Sequence, residues 1–267
     1  MTLPVLKAVA FVKLDLGGGS CQPCIVSVTD ENGNYLKDFY VIKIFQDHRR
    51  SHTCKEVYAS VLAQHFDLKM PEHVLVEVSN TLICELKKEE KYKNWNVTEG
   101  VFFASKYLEG AKSFTDTISL KQYDYWEIGN IFAFDVLIMN LDRQRENPNV
   151  ILKNDNIYII DHESSMNISK PFDVYLTQNH WDYTINANKG GHLFGQHLRE
   201  LVKKDRVTFD EFIENLRKLK PDLLYSFAAQ LAENDYEPLD IQNIVSYLTD
   251  VKRNESQFLQ LLDKLLH

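Results

Sequence analysis

The sequence predicts an α+β fold with a small, β-rich N-terminal lobe that has one main helix, and a larger, mostly helical C-terminal lobe. In the first hundred residues, short runs of β-branched and aromatic residues alternate with turn residues, which is typical of strands and hairpins. Beyond about residue 110, apolar residues recur at helical spacing. We therefore expect residues 1–107 to form the N-terminal lobe and residues 108–267 the C-terminal lobe.

Composition and charge narrow the class of protein. Hydrophobic residues make up 44% and charged residues 25% of the 267 residues, a balance that excludes a disordered or fibrous chain. The formal net charge of −8 argues against nucleic acid as a direct partner, because phosphate binding needs a basic surface. No apolar run reaches the roughly 18 residues of a membrane span. The apolar start carries Lys7 and Lys13 and resembles no cleavable signal. We expect a cytoplasmic protein without a membrane partner.

The N-terminal lobe is predicted from local patterns. Its expected elements are a hairpin of residues 25–28 and 39–45, a helix over 53–67, a second hairpin of 74–78 and 81–86, an exposed charged excursion over 87–98, and a strand over 100–107. Thr53 and Glu56 have the spacing of a capping box, which places the helix start at residue 53.

In the C-terminal lobe, residues 124–140 are apolar on nearly every face and predict a buried helix. Residues 150–153 and 157–160 flank turn residues and predict a short hairpin. Thr208 and Glu211 form a second capping-box pattern, and Pro221 suits a first helical position. Two later apolar stripes at helical spacing predict core helices: Ile241, Ile244, Val245 and Leu248, and then Phe258, Leu261, Leu262 and Leu265.

Cys21 and Cys24 are separated by two residues, the spacing of half a zinc site or of a redox pair. Zinc needs a second pair at short spacing, whereas Cys54 and Cys84 are far apart in the sequence. A redox pair should open a helix, yet a predicted strand follows. We favour two reduced thiols.

The most informative stretch is residues 140–163. It places Asp142 five positions before Asn147, then the predicted hairpin, then Asp161 at a strand end. Protein kinases use this order: an Asp that accepts the proton of the substrate hydroxyl, an Asn, and a metal-binding Asp after a hairpin. The spacing suits Asp142 as base, with Asn147 and Asp161 holding Mg²⁺ against the phosphates of ATP.

Upstream residues predict a nucleotide cradle. Gly17, Gly18, Gly19 and Ser20 lie between predicted strands, where backbone amides can approach phosphates, although a plain turn would have the same composition. Lys43 ends a Val-Ile-Lys run that resembles the lysine strand of kinases, and a solvent-facing lysine is the alternative. Glu56 on the next helix could pair with Lys43, but its position in the capping box already accounts for it.

These motifs resemble the HipA-like kinases, specifically the compact group without an added N-terminal domain. The likeness runs from the glycine turn through Lys43, Glu56 and the Phe-Phe-Ala-Ser-Lys-Tyr strand of residues 102–107 to the Asp142 loop and the Ile-Ile-Asp-His-Glu of residues 159–163. It implies a bilobal protein-kinase-like fold that binds ATP and Mg²⁺, with Phe103 and Ser105 beside the nucleotide. Its best-known members phosphorylate serine or threonine in proteins and can phosphorylate themselves, for which we consider Ser20 first.

The sequence departs from the kinase pattern after Asp161, where no segment with an Ala-Pro-Glu equivalent follows. Substrate recognition is therefore not implied by the resemblance. Four functions remain open: a protein serine/threonine kinase, a small-molecule or lipid kinase, a nucleotide-binding scaffold, and a protein-interaction module. We favour the first, because a scaffold has no need of Asp142. We expect His162 to orient the neighbouring loop through a local hydrogen bond.

Overall fold

The computed structural model describes residues 2–14, 16, 21–115, 118–120, 123, 125–181, 191–204, 208–237 and 239–267. The chain divides into two compact units. The first consists of Met1–Val57, Pro71–Glu109 and Tyr225–Leu239. The second consists of Tyr58–Met70, Gly110–Leu224 and Asp240–His267. Each unit combines three segments that are distant in the sequence. The predicted boundary after residue 107 would instead divide the chain at one position.

The first unit contains a closed five-stranded barrel. Its strands are β1 (Val5–Lys13), β2 (Cys24–Thr29), β3 (Tyr40–Ile42), β4 (His73–Val78) and β5 (Gly100–Lys106), in the order β1-β2-β3-β5-β4. β1 pairs in parallel with β4, and the other pairs are antiparallel. Closure pairs the two outermost strands with each other, so the barrel has no open sheet edge.

Alternating residues of these strands form the barrel core. Cys24, Val26 and Val28 of β2 are buried there, as are Val74 and Val76 of β4. The period of two is what a sheet with one buried face requires. The predicted hairpin of residues 25–28 and 39–45 is confirmed as the antiparallel pair β2 and β3, although β3 is shorter than predicted and ends at Ile42. β1 lies in the apolar start of the chain and precedes the glycine segment, where the sequence implied a strand but gave it no bounds.

The second predicted hairpin is wrong in its second half. Residues 80–86 form a helix, α2 (Asn80–Leu86), and the Ser79 hydroxyl accepts a hydrogen bond from the Leu82 amide at 3.5 Å. Leu82, Ile83 and Leu86 are buried. Their spacing places them on one face of a helix but on both faces of a strand, which is why the helix packs and a strand would not.

Residues 87–98 are not uniformly exposed as predicted. Tyr92 and Val97 are buried in the barrel core, and the Lys87 ammonium donates to the Val97 carbonyl at 2.9 Å. Tyr92 Oη also lies 3.4 Å from Cys24 Sγ. Tyr92 and Val97 therefore hold this segment against the barrel core, although most of the residues around them in the sequence are charged or polar.

The predicted helix of residues 53–67 is observed as α1 (Ser51–His65), preceded by a 3₁₀ turn, Asp47–Arg49. It starts two residues before Thr53, so the first predicted capping box does not cap it. The second predicted box is also absent: the helix after residue 208 starts at Asp210, and its first turn has no side-chain cap bond. In both cases the pattern predicted the helix but not its start.

The second unit contains a three-stranded antiparallel sheet of β6 (Lys112–Ser113), β7 (Val150–Lys153) and β8 (Asn156–Ile159), in that order. β7 and β8 confirm the predicted hairpin. The predicted buried helix is α3 (Tyr125–Leu137), whose residues from Ile128 to Leu137 are all buried. A helix that is apolar all round is expected to be enclosed by other elements.

The remaining helices follow in chain order. They are α4 (Phe172–Thr177), α5 (Gly195–Val202), α6 (Asp210–Lys218), a 3₁₀ turn (Pro221–Leu223), α7 (Leu224–Glu233), α8 (Ile241–Arg253) and α9 (Glu255–Leu266). Pro221 opens its turn as predicted. Both apolar stripes are confirmed as core, on α8 and α9, except for Ile241, which is only partly buried. In the described part of the chain, every helix is too short or too polar to cross a membrane.

Candidate active site

A buried ion pair lies in the first unit. Lys43 directly follows β3, and its backbone amide donates to the Phe103 carbonyl of β5 at 3.0 Å. The Lys43 ammonium is paired with the Glu56 carboxylate of α1, and the two side chains are only 11% and 1% exposed. Glu56 is the sixth residue of α1, too far into the helix to cap it. The sequence left open whether Glu56 pairs with Lys43 or caps the helix, and the structure shows the pair.

Phe103 and Ser105 lie on the strand beside this pair. In the β3–β5 register, Ser105 is opposite Val41. The Phe103 carbonyl accepts from the Lys43 amide, so both predicted nucleotide residues lie beside the end of β3 that leads into Lys43. The Phe103 ring is buried and stacks on His73 of β4, with centroids 6.4 Å apart. The structure thus groups four predicted site residues in the first unit: Lys43, Glu56, Phe103 and Ser105.

Burial lowers the pKa of His73, because a charged imidazolium is poorly solvated there, and the Pro71 backbone only partly offsets this effect. His73 is therefore a neutral ring against Phe103 at pH 7. It adds an apolar face, not a charge, to this part of the barrel.

Gly17, Gly18, Gly19 and Ser20 lie outside the described residues. On either side of them, the Leu16 amide donates to the Pro23 carbonyl at 3.1 Å. This hydrogen bond joins the residue before the glycine segment to a residue after it. The predicted role of the turn in binding phosphates stays a prediction.

In the second unit, Asp142 is held by amide groups from its own loop. Asn147 Nδ2 donates to Asp142 Oδ2 at 2.9 Å, and Asn149 Nδ2 lies 3.5 Å from the same oxygen. The Asp142 backbone amide donates to Asn140 Oδ1 at 3.2 Å. Three asparagine side chains therefore fix the position of Asp142 and the direction of its carboxylate.

Asp161 lies just beyond the end of β8. The amide of the preceding Ile160 donates to the Asn149 carbonyl at 3.0 Å, which joins the Asp161 segment to the Asp142 loop. Asn149 and Asp161 both have left-handed backbone conformations, with φ of 48° and 60°. Asn and Asp adopt this region more readily than most residues, which suits them to both positions.

A buried polar network next to these loops was not predicted. Its centre is the ion pair between Asp135 of α3 and Arg143, with Nε 2.6 Å from Asp135 Oδ2. His192 Nε2 lies 2.8 Å from the same oxygen. The sequence signal for this network was Asp135, a charged residue within the apolar sequence of α3. An ionised group is buried only with a partner, so Asp135 indicated that partners exist.

His162 is fully buried, and its Nε2 lies 3.0 Å from Arg143 Nη2. The observed partner of the ring is thus 19 positions away in the sequence, and a local bond that orients the neighbouring loop stays a prediction. A guanidinium can only donate, so Nε2 of His162 is the acceptor of this bond.

The donor groups near Asp142 fit a hard divalent cation. Asp161 offers carboxylate oxygens and Asn147 an amide oxygen, the ligand types that Mg²⁺ prefers. Among the described residues, no three His, Cys, Asp or Glu side chains are grouped so that they could hold a metal by themselves. An ion bound here would complete its coordination with water and phosphate oxygens, as Mg²⁺ does in phosphotransferases.

The sequence family and the fold together indicate a kinase-type phosphotransferase. The fold is similar to that of CtkA, a proinflammatory kinase of Helicobacter pylori, with a TM-score of 0.52 and 14% sequence identity over 97% of this chain and 96% of that chain.

The chain belongs to the HipA-like kinase family, whose sequence pattern matches residues 18–229. Membership implies ATP as phosphate donor and usually a divalent metal. No curated protein matches the chain.

Proposed function

We propose that the chain is a serine/threonine protein kinase with the bilobal kinase arrangement, in which Asp142 is the catalytic base and Asn147 and Asp161 hold Mg²⁺. The observation that carries the proposal is the geometry of Asp142, whose Oδ2 accepts from Asn147 at 2.9 Å. A protein that only binds nucleotide needs metal ligands but no oriented base. The oriented Asp142 therefore favours phosphate transfer over a scaffold or an interaction module.

The two asparagine amides both approach Oδ2 of Asp142, so we assign Oδ1 to the acceptor hydroxyl. A carboxylate of ordinary basicity is sufficient, because in a loose phosphoryl transfer the hydroxyl proton leaves late. Asp142 thus needs to orient the hydroxyl and then take its proton. Mg²⁺, when bound, neutralises charge on the β- and γ-phosphates.

In the first unit, we assign the Lys43 ammonium to the α- and β-phosphates, with Glu56 fixing its direction. Backbone amides of Gly17, Gly18, Gly19 and Ser20 would cover the phosphates, and Phe103 and Ser105 would line the nucleotide site. The buried Lys43–Glu56 pair supports this assignment, because the carboxylate holds the ammonium in one direction at the end of β3.

The test is incubation of the purified chain with γ-labelled ATP and Mg²⁺, alone, with a generic serine- and threonine-containing protein, and with lipid and small-alcohol acceptors. We expect label on serine or threonine and none with Asp142→Asn. Label on a lipid or small alcohol but never on protein would replace this proposal with the small-molecule kinase. Binding of ATP without transfer to any acceptor would favour the scaffold.

Self-phosphorylation is part of the proposal, with Ser20 as the first site to check. A phosphate there would add about −1.5 to −2 charges next to the phosphates of ATP and oppose nucleotide binding. Intact-mass measurement after incubation with ATP should show added phosphate, and Asp142→Asn should show none.

A further inference from the structure

We propose that Arg143 is a positioning residue: it fixes the Asp142 loop and the Asp161 segment at one separation by bonding both to the buried Asp135. This inference rests on the proposed function, since the separation matters only if Asp142 and Asp161 act on the same phosphate. Arg143 itself is buried with 1% of its surface exposed, so it acts through its neighbours and not on the substrate.

Every N–H of the Arg143 guanidinium has an acceptor. Nε and Nη2 bond the two oxygens of Asp135 at 2.6 and 3.2 Å. The second hydrogen of Nη2 faces His162 Nε2 at 3.0 Å. Nη1 donates to the carbonyls of Asn149 and Ile160, the second at 3.4 Å. A guanidinium has five donors in a rigid planar fork, and all five are used here.

These acceptors come from different segments of the second unit. Asn149 closes the Asp142 loop, Ile160 directly precedes Asp161, and Asp135 belongs to α3. One planar group therefore sets the distances among three segments. The flexible chain of a lysine, with a compact ammonium, could not reproduce this geometry.

Asp135 is correspondingly saturated. Besides Arg143, its carboxylate accepts from Asn140 Nδ2 at 2.8 Å and from His192 Nε2 at 2.8 Å. Four donors match the roughly four lone-pair sites of a carboxylate. Burial opposes ionisation of Asp135, but the charge of Arg143 and the bond from His192 outweigh it and lower the pKa of Asp135 below its ordinary range. The anchor is thus a permanent carboxylate.

His192 attaches a fourth segment to the same anchor. Its Nδ1 lies 3.2 Å from the Phe194 amide, which can only donate. Nδ1 therefore accepts from the Phe194 amide, and Nε2 points to Asp135. The neighbouring Leu193 amide donates to the Arg143 carbonyl at 2.9 Å. Residues 192–194 are thus fixed to both the Asp135 anchor and the Asp142 loop.

Stability alone does not account for such a network. A buried ion pair is often no more stabilising than apolar residues of the same volume, because both charges lose their hydration. A buried ion pair does provide a defined geometry, since its hydrogen bonds have fixed lengths and directions. The position of the acceptors, beside Asp142 and Asp161, indicates which geometry is being defined.

The test compares Arg143→Lys with Arg217→Lys, a matched control in the same unit. Arg217 forms an exposed bidentate bridge to Glu255, outside the network. We expect Arg143→Lys to lower kcat by about 10²-fold, the effect of misplacing reacting groups by about 1 Å, with KM for ATP changed less than about threefold. Arg217→Lys should leave both constants near the wild-type values.

Amide hydrogen exchange gives a second measurement that needs no activity. In Arg143→Lys, the amides of Ile160 and Leu193 should exchange faster, whereas the Phe258 amide in α9 should keep its protection. A kcat within threefold of wild type, or unchanged exchange at Ile160 and Leu193, would each overturn the proposal. If the wild type transfers phosphate to no acceptor, the proposed function fails and the exchange measurement alone decides.

A second pair of variants keeps the test valid if Arg143→Lys does not fold. His192→Gln retains an N–H that can reach Asp135, whereas His192→Leu removes it. We expect His192→Gln to retain most of the kcat and the Leu193 protection, and His192→Leu to lose both at least tenfold. Equal behaviour of the two variants would contradict the proposed network.

Discussion

The Glu56 carboxylate pairs with Lys43 of the neighbouring strand end and does not cap the helix that carries it. Both side chains are almost completely buried, so each charge depends on the other for its solvation. This dependence allows the structural role of the pair to be separated from its proposed role in nucleotide binding.

We expect Lys43→Ala to destabilise the chain by about 3–5 kcal/mol, because it leaves the Glu56 carboxylate buried without its cation. Equilibrium unfolding in urea measures this change. In Lys43→Met/Glu56→Leu, which removes both charges, most of the stability should return. The double variant should nevertheless show no rise in Tm with Mg²⁺ and ATP, whereas the wild type should show one. A normal rise would exclude Lys43 from the nucleotide site.

The variants Asp161→Asn and Asp142→Asn should lose different properties, the first ATP affinity and the second transfer rate. Asp161→Asn should lose the Mg²⁺-dependent part of ATP affinity, since it removes a carboxylate ligand of the ion. Asp142→Asn should bind Mg²⁺ and ATP normally but lose about 10²–10⁴-fold in transfer rate, the usual contribution of a general base. Calorimetry with and without Mg²⁺, together with initial rates, distinguishes the two. Identical defects in both variants would refute the assigned roles.

His73 should make stability depend on pH. Its pKa is lowered from 6.5 in the folded chain, so below about 6.5 the unfolded chain takes up a proton that the folded chain does not. The contribution of His73 is therefore fully present above that pH and is lost as the pH falls. His73→Phe should show a shallower fall in unfolding free energy between pH 7 and 5. Some slope should remain, because burial and Lys170 also lower the pKa of His180.

Two glycines should respond oppositely to alanine. Gly100 has φ of 151°, a backbone conformation that L side chains rarely adopt, so Gly100→Ala should cost about 1–3 kcal/mol. Gly129 lies inside α3, and its Cβ would meet only Phe209 at an ordinary 3.7 Å. Gly129→Ala should therefore stabilise by about 0.5–1 kcal/mol. Thermal unfolding of both variants tests the pair, and a stabilising Gly100→Ala would contradict the backbone argument.

Local patterns predicted the parts of the structure that depend on neighbouring residues. The spacing of Asp142 and Asn147, the β7–β8 hairpin and the position of Asp161 all follow from about twenty consecutive residues. The apolar stripes of α8 and α9 were equally clear, because helical spacing shows directly which face is buried. Their roles in catalysis stay predictions until the variants above are measured.

Elsewhere, competing patterns could not be resolved locally. Residues 81–86 were predicted as a strand from their β-branched and apolar content, but the position of Ser79 and the spacing of Leu82, Ile83 and Leu86 produce a helix. Thr53 and Glu56 have the spacing of a capping box, yet α1 begins earlier and Glu56 bonds to Lys43. Burial of Leu82, Ile83 and Leu86 in the barrel core outweighed the local strand preference. For Glu56, the ion pair with Lys43 took the place of the cap.

The sequence by itself determined the α+β class, the family and the β7–β8 hairpin between Asp142 and Asp161, since these depend on residues close together in the chain. Only the tertiary structure decided what Asp135, Arg143 and His192 do. Asp135 and His192 are 57 residues apart in sequence, and nothing local relates them. A buried charge needs a partner wherever the fold can supply one, so the apolar surroundings of Asp135 require partners but cannot specify which they are.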